Sequence, residues 1–161
     1  MLDSLPGELR SPATDNHILS FVVRGERHHR LWHDARLVHD GVLASKSINI
    51  VPAGSVPRAV VDTSIRVLHV YLPHSTLIDV AQSTGVPMGS LEIIDPKSAF
   101  DPPLINLLSA LHDAVDASKP VDRLWRDCIC QAVVARVLHR WSNLGQPHET
   151  RFVGGLSDRE L

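Results

Sequence analysis

Ten histidines in 161 residues are the first candidates for chemistry. His28, His29, His33, His39 and His69 all fall in short β-like runs, where neighbouring strands could gather imidazoles around a metal ion. The only adjacent pair, His28-His29, must point to opposite faces of a strand, because side chains alternate. No acidic residue follows that pair at a distance suited to sharing a metal. The pattern therefore favours surface or pocket-lining histidines, and neither a metal nor another cofactor is expected. Nucleophilic chemistry has even less support. There is no Gly-x-Ser-x-Gly elbow, and no glycine-rich turn joins a strand to a helix to cradle phosphate. Cys128 and Cys130 are two apart within a helical pattern and point in different directions, which disfavours both a disulfide and a chelate. They read as small, partly buried thiols of a reducing compartment. Asp34, Asp40 and Asp62 stand at strand ends, where turn formation explains them. No catalytic residue is expected.

The elements that would position a site read as strands first and helices after. The first fifteen residues lack periodicity and read as an irregular arm. Six runs broken by turn residues follow: "HILSFVVR" (17–24), "RHHRLWH" (27–33), "ARLVHD" (35–40, stopping at Gly41), "KSINIV" (46–51), "VPRAVV" (56–61) and "SIRVLHVYL" (64–72). Strands at such short, regular spacing indicate an antiparallel sandwich or barrel rather than βαβ units.

The period then lengthens to that of a helix. "PHSTLIDVAQSTG" (73–85) predicts a short helix with Pro73 in its first turn and Gly85 at its end. "SLEIID" (90–95) fits a further strand or an extended link. Asp101-Pro102-Pro103 opens a helix in which Leu104, Leu107, Leu108, Leu111, Ala114 and Val115 repeat at helical spacing. After Ser118-Lys119-Pro120 a second long helix spans about 121–143, with a broad stripe through Leu124, Trp125, Cys128, Ala132, Ala135, Leu138 and Trp141. Ile129, Val133, Val134 and Val137 lie off that stripe, so the apolar surface is wider than one sheet requires. The expectation is a helical pair that covers the β layer and also meets a second copy of the chain. Its interface would include Leu124, Cys128, Leu138 and Trp141.

Composition bounds the partners. With 43% hydrophobic and 21% charged residues the chain has the balance of a globular protein. A net charge of −2 without a basic run makes this stretch a poor nucleic-acid binder. No apolar run approaches the ~20 residues of a membrane span, and no basic-then-apolar leader opens the chain. No membrane partner and a cytoplasmic location are the resulting expectations.

What remains as a site is the interior of the β layer. Along "SIRVLHVYL", Ile65, Val67, His69 and Tyr71 share one face, and Arg66, Leu68, Val70 and Leu72 the other. Two polar-tipped rings among aliphatics furnish a small-molecule pocket, and the second face suits packing on the helices.

Taken together, these segments resemble the N-terminal sensor of AraC/XylS-type transcriptional regulators. The resemblance runs through Arg24-Gly25 at a strand end, the turn Pro52-Ala53-Gly54, and a strand ending in His69-Val70-Tyr71-Leu72-Pro73 whose proline opens a helix. Two helices and a linker ending in Gly154 to Ser157 complete the order, over roughly 17–161. The resemblance implies a cupin-like antiparallel jelly-roll barrel (17–100) behind an N-terminal arm (1–16). A two-helix dimerisation element (101–143) and a linker (144–156) would follow. Residues 157–161, with a capping-box pattern at Ser157 and Glu160, would open a helix-turn-helix domain otherwise absent from this sequence. It also implies an unknown small-molecule effector inside the barrel, lined by Val67, His69 and Tyr71, by Ser20 and Val22 (with Ile18) on the first strand, and by Ala59 (with Pro57) after the turn. DNA would be bound only by the missing domain. The other interpretation is a small metal-dependent cupin enzyme, an isomerase or oxygenase. The usual cupin pattern of His-x-His, a nearby Glu and a histidine beyond a Pro-x-Gly turn is incomplete here, where Pro57 takes the last place.

Overall fold

The computed structural model describes residues 2–4, 6–25, 27–83, 91–116 and 122–144. Its strands are β1 (Leu2–Ser4), β2 (Gly7–Arg10), β3 (Asn16–Arg24), β4 (Arg27–His33), β5 (Arg36–Leu43), β6 (Ile48–Val51), β7 (Pro57–Val61) and β8 (Ile65–Pro73). They form two four-stranded sheets, ordered β1-β8-β3-β6 and β2-β7-β4-β5, with every pairing antiparallel. First pairs with last, second with seventh, third with sixth and fourth with fifth. This is how one long hairpin would pair if folded across two facing sheets. The innermost hairpin turns at Asp34-Ala35, where Asp34 takes the left-handed conformation (φ 55°) that aspartate tolerates better than most residues.

Two departures from the sequence expectations concern strands. The supposed irregular arm supplies β1 and β2, each pairing at a sheet edge with a strand from the far end of the β region. Such pairing leaves little periodic signal in three or four residues. β5 does not stop at Gly41 but runs on to Leu43, since a glycine weakens a strand without removing a ladder hydrogen bond.

Helices α1 (His74–Ser83), α2 (Pro102–Asp116) and α3 (Arg123–Trp141) cover the outer face of the β1-β8-β3-β6 sheet. Period-2 alternation makes this possible. Leu19 and Phe21 of β3, Ile48 and Ile50 of β6, and Leu68 and Leu72 of β8 all point to the helices. They meet Leu77 of α1, Leu104 and Leu108 of α2, and Val133 and Val137 of α3 in one continuous core. The segment 91–95 is an extended link that pairs at a single point, Ile93 with Ser142, beside the end of α3.

The buried side of α3 is not the stripe expected from the sequence. Val133, Val134, Val137 and Leu138 are buried, with Ile129 and Trp141 packed beside them, whereas Leu124, Trp125, Cys128 and Ala135 face outward. Positions 129, 133, 134, 137, 138 and 141 follow a helical repeat as regular as the expected stripe. Burial favours the side richer in β-branched aliphatics. Leu138 is thereby committed to the chain's own core at 7% exposure, which corrects its assignment to a surface for a second copy. Both cysteines are exposed rather than partly buried.

Candidate functional site

Between the two sheets lies a cavity of about 310 Å³. Its walls are the faces of the strands that do not meet the helices. On the helix-backed sheet these are Ile18, Ser20 and Val22 of β3, Asn49 and Val51 of β6, and Ile65, Val67, His69 and Tyr71 of β8. On the facing sheet they are Leu9 and Arg10 of β2, with Ser11 just beyond, His29 and Leu31 of β4, Leu43 of β5, and Pro57, Ala59 and Val61 of β7.

All six positions singled out in the sequence, Ser20, Val22, Ala59, Val67, His69 and Tyr71, lie on this wall. Tyr71 is half exposed and marks the rim, its ring edge-on to His69 with centroids 6.5 Å apart. The sequence reading missed His29, Asn49 and the contribution of β2. Alternation had already separated His29 from His28. It did not say which of the two faces inward, because the inward face of β4 is set by its pairing with β7.

The interior carries little charge. Among the described lining residues there is no carboxylate, and Arg10, the one permanently charged side chain, is paired with Glu8. Burial holds the His29 imidazole at about 4, helped by the neighbouring His39 and His28 rings. Burial likewise lowers His69. Both rings are therefore neutral near pH 7, each with one donor and one acceptor. His29 and His39 lie with ring centroids 5.6 Å apart, and Nδ1 of His29 and Nε2 of His39 are buried without a hydrogen-bond partner.

Other described histidines lie away from the cavity. His28 bonds Asp40 at 2.9 Å, and His33 meets Asp95 at 3.4 Å. Among the described residues no three His, Cys, Asp or Glu side chains gather so as to hold a metal ion.

At the proposed contact surface, Leu124 is 69% and Trp125 43% exposed at the start of α3, with Cys128 exposed one turn on. Trp141 packs on the core while Arg140 lies 5.0 Å from its ring centre. The linker from residue 145 onward and the capping-box residues Ser157 and Glu160 lie outside the described residues, as does Gly85. No described helix is long and apolar enough to cross a membrane.

No protein-family model and no curated protein matches this chain. Among solved structures, it is similar to the Cnp3 cupin domain of Schizosaccharomyces pombe at 13% identity and a TM-score of 0.37, over 53% of this chain and 60% of that one. It is also similar to YcfD, a ribosomal oxygenase from Escherichia coli, at 13% identity and a TM-score of 0.36, over 86% of this chain and 37% of that one. The chain thus spans less than two thirds of either neighbour, and at these scores neither likeness bears on activity.

Proposed function

We propose that this chain is the effector-sensing and dimerising part of an AraC/XylS-type transcriptional regulator, built on a cupin-like jelly roll. The observation that carries this reading is the cavity of about 310 Å³, walled by aliphatic side chains with a few neutral polar groups, as small-molecule sites are. The sheet orders β1-β8-β3-β6 and β2-β7-β4-β5 support the jelly roll, since eight strands nested in this way make two Greek keys.

The wall shared by cavity and helices supplies a route for the signal. Ser20 faces the cavity between Leu19 and Phe21, which face the helices, and Asn49 lies in the same way between Ile48 and Ile50. A ligand pressing on β3, β6 or β8 acts one strand thickness from the packing of α1, α2 and α3. Close-packed interiors transmit such displacements rather than absorb them. A second copy would dock through Leu124, Trp125 and Cys128. DNA would be bound by a helix-turn-helix domain encoded beyond residue 161.

Thermal-shift screening of the purified chain against small metabolites tests the sensor, because a native-state binder raises Tm by mass action. A saturable shift that Ala59→Trp abolishes is the expected result. A library with no stabiliser, together with a stop codon directly after Leu161, would sink the reading. The cupin-enzyme reading draws on one observation, the unpartnered His29–His39 pair. Stoichiometric iron, manganese, nickel or zinc in protein purified without chelator would favour it.

A further inference from the structure

The polar groups of the cavity are not scattered. In the β3–β8 pairing Ser20 stands opposite His69, and in the β3–β6 pairing the same Ser20 stands opposite Asn49. His69, Ser20 and Asn49 therefore form one row across three adjacent strands, all facing the cavity. Neighbouring strands are ~4.8 Å apart, so the row is a polar belt of roughly 10 Å. The flanking rows on the same wall are apolar apart from the rim: Val22 opposite Val67 on one side, Ile18 and Val51 with Tyr71 on the other.

The hydrogen-bonding state of the belt is partly fixed. The backbone N–H of Ser98 donates to Oδ1 of Asn49 at 2.8 Å, which fixes the amide's orientation and leaves its Nδ2 donors and one Oδ1 lone pair for a partner. Ser20 brings a hydroxyl and His69 a neutral ring. On the opposite wall stands His29, 7% exposed, with its Nδ1 unpartnered.

We propose that the cavity takes an uncharged small molecule with an apolar body and an edge of hydroxyl or carbonyl oxygens, that edge lying along His69, Ser20 and Asn49. The proposal rests on the cavity being a ligand site and adds the class of ligand. A primary ammonium finds no carboxylate on the described wall, and a carboxylate finds only Arg10, already paired with Glu8. A bare hydrocarbon would leave the belt of His69, Ser20 and Asn49 unpaired, at a cost for each group. A sugar, polar on every face, would press hydroxyls against Val22, Val67 and Val51. The volume lies at the small end of ligand cavities, ~300–1,000 Å³, which excludes bulky guests.

Calorimetric titration and thermal shift of the intact chain with five probes test this: 2-hydroxyacetophenone, toluene, benzylamine, benzoate and glucose. 2-Hydroxyacetophenone is expected to bind saturably, and tightest of the five. Ser20→Val and Asn49→Leu are each expected to weaken it about tenfold, the loss of one buried hydrogen bond. Ser20→Ala and Asn49→Ala serve the same purpose if the larger side chains prevent folding. Equal or tighter binding of toluene, benzylamine, benzoate or glucose would overturn the class while leaving the cavity a ligand site. Undiminished binding of 2-hydroxyacetophenone to both belt variants would overturn the belt. No binding by any probe would overturn the proposal, and the sensor reading would then stand or fall on its own metabolite screen.

Discussion

Asp101 and Arg136 tie the start of α2 to the middle of α3. Nε of Arg136 lies 3.1 and 3.2 Å from the two carboxylate oxygens of Asp101, and Nη2 lies 3.0 Å from one of them. The same carboxylate accepts the Leu104 N–H at 3.1 Å, capping the helix that Pro102 and Pro103 open. The Asp101 side chain is 2% exposed, so loss of its partner strands a charge. Arg136→Ala should therefore cost about 3 kcal/mol of stability, and Asp101→Ala a similar amount because the cap is lost as well. Urea unfolding of both variants measures this. A change below about 0.5 kcal/mol in each would show the pair to be incidental.

Acid should destabilise the fold well before its carboxylates titrate. Burial, foremost, holds His17, His29 and His33 at about 4 against an ordinary 6.5. The His17 Nδ1 accepts the Ala53 N–H at 3.2 Å, so its proton resides on Nε2, 3.1 Å from His74 Nδ1. A second proton would set two N–H groups against each other. The unfolded chain binds more protons between the two pKa values, so stability is complete above pH ~6.5 and falls as pH drops toward ~4. Each ring contributes at most about 1.4 kcal/mol per pH unit in that window. Glu8 adds a second, lower limb. Hydrogen bonds from Arg58 and then Arg10 hold it at about 2, so its contribution is present above about 4.5 and lost as pH falls toward 2. Unfolding midpoints from pH 7.5 to 4.5 should decline, and His29→Leu should flatten the decline. A midpoint constant over that range would refute the assignment.

Gly25 is required by both its backbone and its surroundings. Its φ is +124°, and a Cβ there would lie 3.1 Å from Cγ2 of Ile65. Gly25→Ala should cost about 1–3 kcal/mol, since an L side chain at that φ is strained whatever space it finds. An alanine variant as stable as the parent would mean the turn between β3 and β4 can relax into an ordinary conformation.

The two ends of α3 should respond differently to the same charge. At Leu138, buried among core aliphatics, glutamate should unfold the chain or cost at least ~3 kcal/mol. At Leu124 or Trp125, which are exposed, it should leave stability within about 0.5 kcal/mol. If these residues dock a second copy, the same substitutions should shift sedimentation toward the monomer. Dimers that persist in both surface variants would place the interface elsewhere.

The strands between 17 and 72 were legible in the sequence because their signals are local. Gly, Pro and Asp mark where the chain turns, and period-2 alternation separates Val67, His69 and Tyr71 from Leu68 and Leu72 whatever lies on either side. The helix opening at Asp101-Pro102-Pro103 is local in the same sense. Three things were settled only by tertiary structure, because each depends on a partner distant in the chain. The first residues became β1 and β2 only because the edges of β8 and β7 were there to pair with them. α3 had two comparable apolar sides, and contact with α1, α2 and the sheet decided that Val133 and Val137 go in while Leu124 and Trp125 stay out. Ser20 was identifiable alone. Its alignment with His69 on one side and Asn49 on the other is a matter of register between strands some fifty and thirty residues away, which no local pattern encodes.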